Sequence, residues 1–361
     1  MDKELLEIRK KYIALKKHLP ISSFVFVLES NDTVILPFYT GSTFRGAFGS
    51  ALKRITCTLL RINSSSKKSK FKKETTVINF DCKNCMFKSS CPYMKIFETY
   101  IDNEETLFKK VHTVPHPYVL EPPFNANLHV YEKGEEVNVG INLIGQHVDD
   151  LPYFIAAFSE FESIGVGKGG GHLSLKSVHY KSDEESEPVL VYDGKKGLLY
   201  DPDTRNQNYF NKRKIKRILE EKRLIIRFLT PARVIYNEQL TENLTFFIFT
   251  NSIITRIKYL SFFYSQRSNP LQRKENPLNG VFNFRELLEE SKKIEIKQDN
   301  LYWFDWERYS KRQNRRMTLG GFMGDITFEG DFSNFIPFLL FGEDVHVGKN
   351  TAFGLGKYLI E

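Results

Sequence analysis

The sequence predicts an α+β protein that consists of two β-α-β-β-α-β domains in tandem. Three observations support this prediction: an internal repeat, the same order of strand-like and helix-like segments in both halves, and a length of 361 residues, which exceeds one ordinary domain. Hydrophobic residues make up 41% of the chain, enough to bury two cores, which excludes a disordered or collagen-like protein.

The repeat is clearest when residues 151–168 are aligned with residues 332–349. At this constant offset of 181, the Val-Gly-Lys of residues 166–168 aligns with the Val-Gly-Lys of residues 347–349. Each copy has helical spacing, then a glycine-rich turn, then a strand-like run. The two halves therefore end on the same α-β unit.

The preceding elements also follow one order in both halves. An amphipathic helix comes first, with apolar residues spaced by three and four from Leu5 to Leu19. Each half then has a buried strand, a helix and two further strands before the repeated unit. In the first half these segments are 22–30, 43–55, 128–132 and 135–145, and in the second half they are 223–231, 243–263, 292–310 and 316–330. This is the ferredoxin-like, or RRM-like, plan.

The predicted domains are residues 1–190, which include a cysteine-containing zinc insertion at about 57–110, and residues 223–361. Residues 191–222 form the predicted linker region, which follows the acidic segment KSDEESEP. In the ferredoxin-like plan the fourth strand begins where the first strand ends. We therefore expect the glycine-rich loop at 165–171 to lie near residues 31–45, and the loop at 346–356 to lie near residues 231–243.

Four cysteines suggest a structural zinc site. Two cysteines separated by two residues can bind one tetrahedral Zn²⁺, and a Cys-Pro turn presents a third thiolate. The alternative is a set of reduced, buried cysteines, but the surrounding sequence DCKNCMFKSSC is polar. His112 or His116 is an alternative to one of the thiolates. The predicted ligands are Cys57, Cys82, Cys85 and Cys91.

The two glycine-rich loops are candidate phosphate-binding segments. Glycines let backbone N–H groups approach phosphate oxygens, and each loop contains a lysine, Lys168 or Lys349. Because each loop precedes a strand, neither fits a dinucleotide or Walker motif. The alternative is a tight turn that requires positive φ.

Basic runs favour a nucleic-acid partner. The chain has 52 Lys and Arg against 44 Asp and Glu, a net charge of +8. Lysine runs at 67–73 and 211–217 are typical of solvated surfaces. The run at 308–316 is more specific because aromatic residues from Trp303 to Tyr309 accompany it, and rings can stack on bases while cations contact phosphates. Its basic residues are Arg308, Lys311, Arg312, Arg315 and Arg316.

Residues for catalysis are few. The sequence contains no HExxH, GxSxG or DxDxG motif, which excludes the corresponding metalloprotease, serine hydrolase and EF-hand sites. His346 aligns with Gly165 in the repeat, so the scaffold does not require a histidine there. It is either a functional residue or a cap at the C-terminal end of a helix.

Five separated segments of the sequence form a recognisable set: FYTGSTFRGAFGSALKR (38–54), the CxxC…CPYMKIFE region, PHPYVLEPP (115–123), RYSKRQ with GGFMG, and VHVGKNTAFGLGKY near the end of the chain. In this order they resemble a known family, the CRISPR-associated endoribonucleases of the RAMP superfamily that process precursor CRISPR RNA. The resemblance implies tandem ferredoxin-like domains. It also implies metal-independent cleavage of a repeat RNA by its own 2′-hydroxyl, which leaves 5′-OH and 2′,3′-cyclic phosphate ends.

The resemblance also directs attention to the first helix of the first domain, where many family members place a catalytic histidine. Residues 41–55 contain no histidine, but Tyr39, Arg45 and Lys53 could orient the phosphate there. His346, with Lys349, is the alternative base. A non-catalytic repeat-RNA-binding subunit of a CRISPR effector complex is the rival hypothesis, and a zinc-clipped DNA-binding protein is weaker because the sequence has no recognition-helix motif.

The sequence favours a cytoplasmic protein without a membrane segment. No apolar run approaches the ~18 residues that a membrane span requires, and the first residues, MDKELLEIRKK, are too charged for a signal peptide.

Overall fold

The computed structural model describes residues 2–58, 82–99, 114–124, 129–181, 187–200, 210–265, 275–310 and 315–361. In these ranges the chain forms two main antiparallel sheets with helices packed on them, which confirms the α+β class. None of the helices in the same ranges is long and apolar enough to cross a membrane.

The first sheet has the strand order β3-β5-β1-β6-β7-β8, and β1 is antiparallel to both of its neighbours. The short strands β2 and β4 pair separately. The strands of this half are β1 (Ile21–Ser30), β2 (Val34–Leu36), β3 (Tyr118–Glu121), β4 (His129–Tyr131), β5 (Glu136–Ile144), β6 (Leu173–Lys181), β7 (Val189–Asp193) and β8 (Leu198–Leu199). Its helices are α1 (Asp2–His18), α2 (Gly41–Thr56), α3 (Leu151–Ser159) and α4 (Phe161–Ile164).

The second sheet has the order β12-β14-β9-β15, with β13 paired to the remaining length of β14. Its strands are β9 (Arg223–Ala232), β10 (Ile235–Tyr236), β11 (Gln239–Leu240), β12 (Glu295–Asp299), β13 (Tyr302–Ser310), β14 (Arg315–Glu329) and β15 (Tyr358–Ile360). Its helices are α5 (Lys212–Glu221), α6 (Phe246–Tyr264), α7 (Phe284–Ser291) and α8 (Ile336–Val345). Both sheets place the second, third, first and fourth strands of a unit side by side. This order is consistent with tandem ferredoxin-like domains.

Alternating burial explains how the first sheet holds its helices. Every second residue of β1 is buried, which places Phe24, Phe26 and Leu28 on one face. Phe26 contacts Phe158 of α3 with ring centroids 4.9 Å apart. The resulting apolar layer fixes α2 and α3 above the sheet.

Two strand predictions are wrong in detail. The second strand of the first half is Tyr118–Glu121, whereas His129–Tyr131 within the predicted segment 128–132 pairs with β2 instead. Burial explains why the first of these segments, and not the second, pairs with β5: Tyr118 to Leu120 are completely buried, while Val130 is 48% exposed. In the second half, the run predicted as one strand at 292–310 forms two, β12 and β13.

Helix α1 packs on the second half of the chain. Its buried residues Ile8 and Tyr12 belong to the same apolar core as α8. Lys16 of α1 is buried and forms an ion pair with Asp344, with Nζ and Oδ2 2.5 Å apart. The domain boundaries at 190 and 223 stay a prediction.

The expected positions of both glycine-rich loops are confirmed. The backbone N–H of Lys168 donates to the carbonyl oxygen of Ile35 at 2.8 Å. In the second half the N–H of Lys349 donates to Arg233 at 2.8 Å. The repeat thus extends to individual backbone hydrogen bonds.

Candidate functional site

The N-terminal end of α2 lies against the second glycine-rich loop. The hydroxyl of Tyr39 donates a hydrogen bond to the carbonyl oxygen of Phe353 at 2.7 Å. A Cβ atom on Gly41 would lie 1.9 Å from the same oxygen, so only glycine allows this approach. Tyr39 therefore connects the two halves, and its predicted catalytic role stays a prediction.

Arg45, one turn further along α2, is enclosed by aromatic rings. Its guanidinium carbon lies 4.3 Å from the ring centroid of Phe97 and 4.7 Å from that of Phe353. Its Nη2 lies 2.9 Å from Nε2 of His116. Burial and the charge of Arg45 lower the pKa of His116 to about 3, so the ring is neutral and accepts a hydrogen bond from Arg45. Arg45 is thus held in the junction between the halves, and its RNA contact stays a prediction.

Lys53 lies in the last turn of α2 and contacts the cysteine segment. Its ammonium nitrogen is 5.7 Å from the ring centroid of Tyr93. It also lies beside Cys82, where burial outweighs the lysine charge and raises the pKa of the thiol. Because Tyr39 and Lys53 lie at opposite ends of a 16-residue helix, the structure does not bring together the residues predicted as catalytic.

His346 is completely buried where the two halves meet. Its Nε2 lies 2.9 Å from Glu121 Oε1, and its Nδ1 lies 3.1 Å from the carbonyl oxygen of Leu355. Burial lowers the pKa of His346, although Glu121 opposes this effect. With both ring nitrogens facing protein acceptors and no exposed surface, the side chain is poorly placed for proton transfer to a substrate. The catalytic role stays a prediction, and the geometry favours a structural one.

The backbone of His346 resembles that of its repeat partner. Both residues end a helix in a left-handed conformation, with φ 63° and ψ 171° at His346 and φ 67° and ψ 155° at Gly165. This region is almost restricted to glycine and costs a residue with a side chain roughly 1–3 kcal/mol. The interaction with Glu121 therefore stabilises His346 in a backbone conformation for which the equivalent position of the first half has a glycine, Gly165.

Glu121 is the centre of a polar network between the halves. Besides His346, it accepts hydrogen bonds from Lys357 at 2.5 Å and from Asn142 at 3.3 Å. Asn142 also donates to the backbone oxygen of Asp344 at 2.8 Å. Burial alone would raise the pKa of Glu121, but the hydrogen bond from His346 and the charge of Lys357 lower it to about 2. Glu121 is therefore ionised at neutral pH.

The two lysines of the glycine-rich loops are exposed. The surroundings of the loops differ, however. In the second loop Gly354 packs against the backbone of Leu120, since an added Cβ would lie 2.6 Å from that carbonyl oxygen. In the first loop Gly169 and Gly170 have φ of 87° and 74°. A Cβ atom added to either of them would have no neighbouring atom of the described residues within 4 Å. The first loop is therefore open at Gly169 and Gly170, whereas the second loop packs between the halves. The phosphate contacts of Lys168 and Lys349 stay predictions.

A β-hairpin gathers the arginine run. Strands β13 and β14 pair Arg308 with Met317, Tyr309 with Arg316, and Ser310 with Arg315. Three of the four arginines of this run thus lie at the turn end of one hairpin. The fourth, Arg312, together with Lys311, lies outside the described residues.

The base of the hairpin is anchored on the first half. The buried Trp306 of β13 contacts Tyr39 with ring centroids 5.2 Å apart. Phe304 contacts Phe38 at 5.5 Å. These rings form an apolar cluster with Leu319 and Leu355. The strands that contain these arginines therefore have a fixed base beside α2.

The predicted zinc ligands are all described, and they are half-buried cysteines that form no disulfide. Among the described residues, no three His, Cys, Asp or Glu side chains are grouped so that they could hold a metal ion. His116, an alternative ligand, is bonded to Arg45 instead, and His112 lies outside the described residues. Zinc therefore stays a prediction from the cysteine spacing.

Metal analysis tests that prediction. From the spacing of the thiolates we expect about one Zn²⁺ per chain in freshly purified, unchelated protein. Cys82→Ser and Cys85→Ser should each remove the metal and lower stability, because metal binding contributes folding free energy. Lys83→Ala changes the same loop without loss of a thiolate and serves as the control. Protein that contains no zinc would contradict the prediction.

Sequence reasoning missed Glu121 and the pairing of Arg45 with His116. Glu121 and His116 both lie in the segment PHPYVLEPP, and the sequence predicted a role only for His116, as an alternative zinc ligand. A carboxylate directly after the buried run of Tyr118 to Leu120 was the available signal, because a charge beside a buried strand requires a partner. That partner is His346, which lies 225 residues away in the chain, so its identity could not be predicted from the sequence.

Comparisons with known proteins give two family matches. A family model described as CRISPR-associated endoribonuclease Cas6 matches residues 226–358, and a model described as an N-terminal domain matches residues 19–204. No curated protein matches the sequence.

Solved structures give similarities at low identity. A Cas6 product complex has 14% identity and a TM-score of 0.48, and the match covers 94% of this chain and all of the other. Thermus thermophilus Cas6 has 12% identity and a TM-score of 0.45, with 95% of this chain and 99% of the other covered. A Cas6-RT-Cas1–Cas2 complex has 12% identity and a TM-score of 0.47, with 96% of this chain and 29% of the other covered.

Proposed function

Because the chain belongs to the Cas6 family of CRISPR-associated endoribonucleases, we propose that it processes precursor CRISPR RNA by cutting within the repeat. The observation that carries this proposal is the match of the Cas6 family model to residues 226–358, which include the arginine hairpin and the second glycine-rich loop. The substrate is the repeat RNA, and the product is a CRISPR RNA that other subunits of an effector complex would bind.

The proposed chemistry is an attack of the RNA's own 2′-hydroxyl on the neighbouring phosphate. The 2′-oxygen bonds to phosphorus, the bond to the 5′-oxygen breaks, and the products have 2′,3′-cyclic phosphate and 5′-OH ends. This reaction needs proton transfer to and from the two oxygens and cations on the scissile phosphate. Neither requirement calls for a metal ion.

The basic surface supports RNA binding. The hairpin with Arg308, Arg315 and Arg316 projects from the aromatic base beside α2, and Lys168 lies exposed in the open first loop. Cations on the RNA backbone supply affinity, while stacking and base edges supply sequence preference. These elements form two basic regions at which a single strand could bind.

A second candidate function is a repeat-RNA-binding subunit that does not cut. It is favoured by the absence of histidine in α2 and by the burial of His346. End-labelled repeat RNA from the protein's own CRISPR array, incubated with purified protein in EDTA, distinguishes the two. We expect cleavage at one position in the repeat and none in a shuffled RNA of equal length. Binding of the repeat without cleavage would support the second function instead.

A further inference from the structure

An aspartate and a histidine meet beside the open glycine-rich loop. His172 follows this loop directly, and Asp32 lies in the turn after β1. The backbone N–H of His172 donates to Asp32 Oδ1 at 2.8 Å, and its ring Nδ1 lies 2.6 Å from Asp32 Oδ2. The neighbouring Asn31 donates its N–H to the carbonyl oxygen of His172 at 3.0 Å. The imidazole is thus held in one orientation.

The free side of this ring faces outward. With Nδ1–H donated to the carboxylate, the neutral ring carries its lone pair on Nε2. Within the described part of the chain, no residue forms a hydrogen bond with Nε2. The side chains of His172 and Asp32 are 45% and 48% exposed, so a substrate can reach them. This differs from His346, whose ring is completely enclosed.

The loop supplies the groups that a phosphate needs. Lys168 provides an exposed cation four residues before His172. The N–H groups of Gly169 and Gly170 form no hydrogen bond with other described residues, and the space around both glycines is open. Successive free N–H groups in glycines with positive φ can bind an anion. A proton acceptor and an anion site therefore lie within one short segment.

This segment is within reach of the RNA-binding hairpin. Asp32 and Tyr39 are seven residues apart, a separation of at most about 25 Å along an extended chain. Ile35, between them, pairs with Lys168, and Tyr39 contacts Trp306 at the base of the hairpin. A single RNA strand of several nucleotides can therefore contact the hairpin and the open loop together.

We infer that His172, oriented by Asp32, is the base of RNA cleavage and that Lys168 with the glycine N–H groups binds the scissile phosphate. This inference rests on the proposed function. Nε2 takes the proton of the 2′-hydroxyl while the 2′-oxygen bonds to phosphorus. The bond from phosphorus to the 5′-oxygen breaks with its electron pair on that oxygen, which takes a proton from solvent. The ring then returns its proton to solvent, so that proton and charge balance.

The test is single-turnover cleavage by His172→Asn. The asparagine amide can still donate to Asp32, but it lacks a group at the position of Nε2. We expect the rate to fall roughly 10²–10⁴-fold, the usual contribution of a positioned base, while repeat-RNA affinity and melting temperature stay near wild type. Asp32→Asn should slow cleavage by about tenfold or more. In the rate–pH profile, the acid-side titration step of the wild type should be absent in His172→Asn.

His179→Asn is the matched control, because His179 is a half-exposed histidine on the same sheet that contacts Ser177 rather than the loop. It should cut at the wild-type rate. If the wild type cuts and His172→Asn cuts equally fast, the inference is wrong and the proposed function stands. If the wild type binds its repeat without cutting it, the proposed function itself fails.

Discussion

Replacing Arg308, Arg315 and Arg316 together with alanine is expected to weaken repeat-RNA binding about a hundredfold at physiological salt. The strand register places all three at one end of a hairpin whose base is fixed by Trp306. About 1 kcal/mol for each lost phosphate contact gives this factor. The slope of log affinity against log salt should also fall by about 2, at roughly 0.7 per single-strand contact. Filter binding across a salt series measures both quantities.

The control removes three charges elsewhere in the same half. Arg285, Lys293 and Lys297 are exposed residues on α7 and near the edge strand β12. Their triple alanine variant has the same net charge as the hairpin variant, but we expect its affinity to stay within about twofold of wild type. Equal losses in both variants would mean that the hairpin acts only through the overall charge.

Replacing Glu121 with glutamine is expected to lower the free energy of unfolding at pH 7 by roughly 3 kcal/mol. The pKa of this carboxyl is about 2 in the folded protein against an ordinary value of 4.5, which corresponds to that energy. Because the folded pKa is depressed, the stabilisation is fully present above about pH 4.5 and is lost as the pH falls towards 2. Chemical denaturation at a series of pH values measures it.

Glu121→Gln should abolish this pH dependence in addition to lowering the free energy of unfolding. Glu7→Gln is the control, because Glu7 forms only an exposed ion pair with Lys10 on α1 and should contribute less than about 1 kcal/mol. If Glu121→Gln unfolds like wild type across the acid range, the network with His346 and Lys357 does not stabilise the junction between the halves.

The features that depend on local pattern could be predicted from the sequence. The repeated Val-Gly-Lys predicted two equivalent loops, and both lysine N–H groups donate to the segments expected beside them, 31–45 and 231–243. The segment 128–132 misled the prediction, because it has the composition of a strand. The more completely buried Tyr118–Glu121 occupies the place beside β5 instead. Competition between two strand-like segments is decided by burial, which composition alone does not reveal.

Contacts between the halves could not be predicted. His346 differs from its repeat partner Gly165, and its bond to Glu121 is the structural reason for this difference. Asp32 and His172 are 140 residues apart, and no local pattern indicates that one orients the other. His172 becomes a candidate base only once the structure shows that the turn with Asp32 lies beside it.

The most direct test of self-cleavage by the RNA uses the protein's own repeat with a single 2′-deoxy substitution at the nucleotide before the cut. The proposed chemistry predicts that wild-type protein in EDTA cuts the all-ribose repeat and leaves a 2′,3′-cyclic phosphate, which mass spectrometry of the 5′ fragment identifies. The substituted repeat should bind with similar affinity and remain intact. Cleavage of the substituted repeat at the same position would contradict the account, because the attacking oxygen would then come from another source.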